Sequence, residues 1–115
     1  MKLKEGKLEY GISYPYGLHR IVALNLVNLE PWEIIDEEWL QQLLPLLKND
    51  YPNRKLLPFA SRKDCNLLAC LEAGKGEEVQ MIHLGADSGW EQRSAPIKDF
   101  WTWFKMAIDD MIEFE

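Results

Sequence analysis

The sequence of 115 residues is short of cysteine, histidine, positive charge and long apolar runs. Each shortage excludes something. Two cysteines and two histidines make no CxxC, HxxxH or HExxH pattern, so the ligand spacing of a structural or catalytic zinc site is missing. No metal and no cofactor is expected. Nineteen acids against thirteen bases give a net charge of -6. That balance opposes unspecific nucleic-acid binding and adhesion to anionic membranes. No apolar run approaches the roughly 20 residues that span a bilayer. The basic start, Met1 to Lys7, has no apolar segment behind it and so does not read as a signal peptide, which makes the cytoplasm the expected compartment.

What is present fits one globular domain over residues 1–115. Forty-seven per cent of the residues are hydrophobic and 28% charged, a mixture that builds a core rather than a disordered chain. Leu8, Tyr10, Ile12 and Tyr14 alternate with polar or small residues and predict a half-buried strand. Pro15-Tyr16-Gly17 predicts a turn, and the apolar run Arg20–Val27 a second strand paired to the first. Asp36 is expected to cap a helix whose first turn holds Glu37 and Glu38. Its core stripe is Trp39, Leu40, Leu43, Leu44, Leu46 and Leu47, with Pro45 kinking or splitting it.

Lys55–Ala60, carrying Pro58, predicts an edge or irregular strand. Cys65–Glu72 and Val79–Leu84 predict a strand pair across the Gly74-Lys75-Gly76 loop. Asp99 is expected to cap a last helix from Phe100 to about Phe114. Phe100, Phe104, Ala107, Ile108 and Met111 form its core stripe, with Trp101 and Trp103 flanking. Five strands and two helices without regular alternation indicate an α+β fold. Its mainly antiparallel five-stranded sheet packs against a central and a C-terminal helix.

Candidate chemistry is sparse. Cys65 and Cys70 lie five apart on an expected strand, so they face opposite ways and neither pair nor share a metal; both read as buried, reduced thiols. A Cys–His enzyme would need one of them activated by His83, and no oxyanion hole or nucleophile-elbow motif accompanies them. Gly74-Lys75-Gly76 leads into a strand, so it is a hairpin rather than a phosphate loop. Arg54, Lys55, Arg62 and Lys63 form a basic stretch that reads as protection of an edge strand.

Acids gather at Glu30, Glu33, Asp36, Glu37 and Glu38, and again at Asp109, Asp110, Glu113 and Glu115. Acids near a helix C-terminus oppose its dipole, which suggests retention for a basic partner. The candidate partner-binding residues are Glu33, Asp36, Glu37, Glu72, Asp87, Trp90, Glu91, Asp109 and Asp110. Trp90 sits beside Gly89 in a polar loop, and exposed tryptophans are favoured interface anchors.

Four segments carry a family resemblance: Leu56-Leu57-Pro58-Phe59-Ala60, Asp64–Glu72, Val79–Leu84 and Ile97–Phe104. Together they resemble the SUKH superfamily, which includes fungal cell-wall-assembly regulators and many bacterial immunity proteins. Glu72 stands where the family has an acid at the strand end. Asp99 stands at the cap before the Phe, with Phe104 or Trp103 as the second aromatic. The match spans roughly residues 55 to 112. The opening helices and Asn-Gly-Gly-like turn usual in the family are missing ahead of it, so the resemblance implies a short, N-terminally reduced member, the alternative being an unrelated α+β protein. The resemblance implies a non-enzymatic protein that binds and neutralises a toxin domain, a nuclease or deaminase, with a basic face complementing the acids. The alternative is a cytosolic regulatory adaptor or a small homodimer using the tryptophan-bearing surface.

Overall fold

In the computed structural model, which describes residues 1–114, five strands form one antiparallel meander in the order β1-β2-β3-β4-β5. The strands are β1 (Asn28–Leu29), β2 (Trp32–Ile34), β3 (Leu56–Arg62), β4 (Leu67–Glu72) and β5 (Gln80–His83). Three helices accompany them: α1 (Tyr16–Ala23), α2 (Glu37–Asp50) and α3 (Phe100–Glu113). The fold is α+β, with the sheet against the central and C-terminal helices as expected. Glu115 of the expected acidic tail lies outside the described residues.

The number of strands agrees with expectation, but two of the five are different segments. Residues 8–14 form no strand; a short 3-10 turn at Glu9–Gly11 occupies their middle. The run Arg20–Val27 is mostly the helix α1, and Pro15 is its N-cap rather than part of a turn. Leu18 and Ile21, three apart, are buried on one face. Asn25 ends the helix at φ 60°. The Leu26 N–H bonds to the Ile21 carbonyl at 2.8 Å and the Asn25 N–H to the Val22 carbonyl at 2.9 Å. That pair of bonds is a Schellman motif, for which Asn is one of the suitable residues. Gly17 is needed for close approach, since a Cβ there would lie 2.5 Å from Phe100 and 2.9 Å from Trp101. The chain therefore has a helix ahead of its sheet, and the expectation of a missing opening helix is corrected.

α2 begins as expected, with the Trp39 N–H donating to the Asp36 carboxylate at 2.8 Å. Leu40, Leu43, Leu44 and Leu47 are buried, while Leu46 is exposed and leaves the expected stripe. Pro45 does not split the helix. It lies on the exposed face, as does Gln41, whose carbonyl loses the usual donor four residues on.

β3 is central, not an edge strand: it pairs with β2 on one side and β4 on the other. Its register shifts between Pro58 and Ala60, an irregularity that accommodates a residue without an N–H. The basic stretch around β3 therefore protects no edge. β4 and β5 form the expected hairpin. Beyond β5, residues 91–97 continue the pairing. The His83 N–H meets the Glu91 carbonyl and the Arg93 N–H the Met81 carbonyl, both at 2.8 Å. Those bonds cover the edge of β5.

α3 is capped by Asp99, which accepts from the Thr102 N–H at 2.9 Å. Its buried residues are Phe100, Trp103 and Ala107. Trp103 is thus core rather than flank, and Met111 is exposed. The centre of the core is aromatic. Trp103 meets Trp32 edge-on at 5.3 Å and Phe59 at 4.9 Å, and Phe59 meets Phe100 at 5.7 Å. Such pairs add about 0.5–1.5 kcal/mol each beyond burial.

Candidate functional site

The two ends of β3 each place an arginine among acids. Arg54, just before β3, donates to both Glu72 carboxylate oxygens at 2.8 and 3.0 Å and to Glu91 at 3.1 Å. All three side chains are largely buried, at 19%, 13% and 11% exposure. The hydrogen bond to Glu72 leads in raising the Arg54 pKa above its ordinary value. Burial pushes the Glu91 carboxyl upward. Backbone N–H groups, including that of Gly89, and the Arg54 guanidinium outweigh it and hold Glu91 below the usual carboxylate value.

Arg62, at the end of β3, donates to Asp64 at 2.7 Å and to Asp110 at 3.1 Å. Asp110 also accepts the Trp32 indole N–H at 2.9 Å. This centre is more open, with Arg62 26% and Asp64 38% exposed. The hydrogen bond from Arg62 holds the Asp64 carboxyl below its ordinary range.

These two centres account for several expected partner-binding acids. Glu72, Glu91 and Asp110 are engaged by arginines within the chain, and Asp36 is engaged as a helix cap. Glu37 meets Lys4 at 3.0 Å, and Glu33 meets Lys63 at 3.6 Å, both at the surface. Asp87 and Asp109 are exposed and make no ion pair among the described residues. Trp90 stands out at 80% exposure. On α3, Trp101, Met111 and Ile112 are exposed apolar residues, at 44%, 36% and 72%.

The loop that carries Trp90 is tied down. The Trp90 N–H donates to the Asp87 carbonyl at 2.9 Å, closing a four-residue turn. The Gly89 N–H donates to the Glu91 carboxylate at 2.7 Å. The Tyr51 hydroxyl, at the end of α2, lies 2.8 Å from the Ala86 carbonyl and 3.0 Å from that of His83. The sequence singled out Trp90 and Glu91 but held no signal for the Arg54–Glu91 contact, which joins positions 37 apart.

The thiols sit apart. Cys70 is fully buried in β4, opposite Gln80, and burial pushes its thiol far up. Cys65 is exposed in the turn before β4, correcting the expectation that both are buried. Burial of its sulfur and then Asp64 raise the Cys65 thiol above its ordinary value. Both shifts run opposite to the lowered pKa that activates a thiol nucleophile. His83 is exposed on β5, three residues from Cys70's partner Gln80, or about 10 Å along the strand.

Among the described residues no three His, Cys, Asp or Glu side chains gather as a metal site. Among the described residues no helix is long and apolar enough to cross a membrane. A cleft of about 410 Å³ lies between the N-terminal segment and α2, lined by Lys4, Glu37, Leu40 and Leu44 among others. No protein-family model, curated protein or solved structure matches the chain.

Proposed function

We propose that this chain is a non-enzymatic binding protein of the SUKH immunity type, acting in the cytoplasm by holding and neutralising a basic toxin domain. What carries the reading is the order of elements over residues 56–113. A buried strand turns into an apolar strand that ends on Glu72, a hairpin returns, and a closing helix opens on capped Phe100 with Trp103 three residues on. The helix α1 stands ahead of the sheet, where members of that family carry an opening helix. Glu72, at the family's acidic strand end, is an internal partner of Arg54, so the acids facing a toxin are the exposed ones.

The test is to search the genes beside this one for a toxin domain and to co-express the two. Growth is restored when this chain is present at equal or higher level. Persistent killing with the folded chain present overturns the reading.

The exposed apolar edge of α3 favours a second reading, the small homodimer rather than the regulatory adaptor. A mass that doubles with concentration in light scattering, with no toxin protection, would select it.

A further inference from the structure

We infer that the Gly85–Glu91 loop is a rigid display for Trp90, and that it docks on a basic protein surface. An arginine or lysine of the partner stacks on the indole and pairs with Asp87. The inference rests on the protein-binding reading above and names the contact that would make it.

Of the described large apolar side chains that are exposed, Trp90 is the most exposed, at 80%. A tryptophan left in water forgoes the burial of about 150–250 Å² that the residue usually makes. Exposed loops usually move, yet this backbone is fixed at several points. A turn hydrogen bond closes Asp87 onto Trp90. The Tyr51 hydroxyl takes up the Ala86 carbonyl at 2.8 Å. The Glu91 carboxylate takes up the Gly89 N–H at 2.7 Å.

The last of these ties is the informative one. Glu91 is 8% exposed and is held there by Arg54. Buried ion pairs seldom add net stability over apolar side chains of the same volume. What a carboxylate adds here is direction: one oxygen faces Arg54 and the other fixes the N–H next to Trp90. The buried charges shape the loop, and the loop presents one ring. Rigid aromatic anchors bind well because little freedom is lost on docking.

Charge selects the partner. Asp87 and Trp90 project from the two ends of one turn, and Asp87 is exposed with no ion pair among the described residues. A cation over an indole face beside a carboxylate gains from both. A second copy of this chain, at net -6, is a poor electrostatic match for this acidic turn. Nucleic acid is repelled for the same reason. A basic protein face is what remains.

The experiment is an NMR titration of the ¹⁵N-labelled chain with an arginine–leucine peptide and its citrulline counterpart, which keeps the shape and removes the charge. The amides of Asp87 and Gly89 and the indole N–H of Trp90 should shift saturably with the arginine peptide. The citrulline peptide should bind at least tenfold more weakly. Asp87→Asn should weaken the arginine peptide several-fold, and Trp90→Ala should abolish the shifts at Asp87 and Gly89, while Asp109→Asn changes nothing. Equal response to both peptides, no response at millimolar peptide, or shifts centred on Trp101 and Ile112 would overturn the inference. These arms need no toxin. A chain that fails to protect cells yet gives the arginine-dependent shift loses the immunity reading and keeps the docking site. A Trp90→Ala variant that protects in full does the reverse.

Discussion

Arg54 and Arg62 stand at opposite ends of β3, and each bridges two acids, but they do different work. Arg54 joins the end of β4 to the loop after β5 through side chains that are at least four-fifths buried. Arg62 joins the β3–β4 turn to α3 at a quarter to two-fifths exposure. Similar ion pairs thus sit in two dielectric settings. In the buried setting the loss of one partner strands the others without water. In the open setting water replaces the lost partner. The difference teaches that the role of a charge here is set by what surrounds it. Arg54 holds a loop in one shape, whereas Arg62 trims the surface of a junction that the Trp32–Trp103 contact already secures.

The largest effect should come from removing Arg54, with removal of Arg62 as its contrast. Arg54→Met leaves Glu72 and Glu91 facing each other's charge in a dry site and should destabilise by about 3 kcal/mol. Urea unfolding should show that loss, and melting should fall by roughly 12 °C for a chain of this size. Arg62→Met should cost about 1 kcal/mol or less. Equal losses would erase the distinction between the two centres.

Acid should separate them next. The folded pKa of Glu91 lies below its ordinary 4.5, so its contribution is complete above that value. It is lost as pH falls through the lower folded value. Unfolding free energy should therefore drop below about pH 4.5, and Glu91→Gln should start lower and show a flatter acid limb. Asp64, 38% exposed, should contribute far less to that limb. A limb unchanged in Glu91→Gln would show that Glu91 is not the group responsible.

How far these centres were legible in the sequence follows from their range. The caps Asp36 and Asp99 act over three residues, and both were read correctly. β3, β4 and β5 are long enough for their apolar runs and hairpin loop to mark them. α1 was not, because Ile21-Val22-Ala23-Leu24 is an unbroken apolar run that suits a buried strand as well as a helix. The helical signal was there in Leu18 and Ile21 with Asn25 beyond them, but it is spread over only eight residues. β1 and β2 have two and three residues, too few for any period to show. Trp103 was assigned to a flank because the stripe was centred on Phe104. The buried face runs instead through Phe100, Trp103 and Ala107, with Trp103 packed on Phe59 and Trp32. The Arg54–Glu91 and Arg62–Asp110 pairs join positions 37 and 48 apart, and only the folded sheet brings them together.

Each centre has its own cysteine as a reporter. Cys65 adjoins Asp64 and Arg62, while Cys70 lies within the field of Arg54 and Glu72. Iodoacetamide should add one label to the folded chain, at Cys65, slowly at neutral pH because its thiol is raised. The second label should appear only in denaturant, since Cys70 is fully buried. Mass spectrometry of the intact chain reads both. Arg54→Met should speed labelling of Cys70 through more frequent opening, and Arg62→Met should leave Cys70 protected. Labelling of Cys70 at the same rate as Cys65 would mean that the buried centre is not dry.

The smallest expected effect is the sharpest test of what the buried centre is for. Trp90→Ala removes the largest side chain of the loop, yet four-fifths of that residue is already in water. If the ring only rides on the loop, stability should change by less than about 0.5 kcal/mol, as for surface substitutions generally. The Gly89 and Ala86 N–H groups donate to the Glu91 carboxylate and the His83 carbonyl, not to the indole, so their amide exchange should stay slow. If the ring instead held the loop down, Trp90→Ala should destabilise by more than 1 kcal/mol and free those amides. The two outcomes assign cause and effect in opposite directions. In the first, Arg54 and Glu91 hold the loop so that the tryptophan is presented. In the second, the tryptophan is part of the packing that keeps Arg54 and Glu91 buried, and the contrast with the Arg62 centre reduces to depth alone.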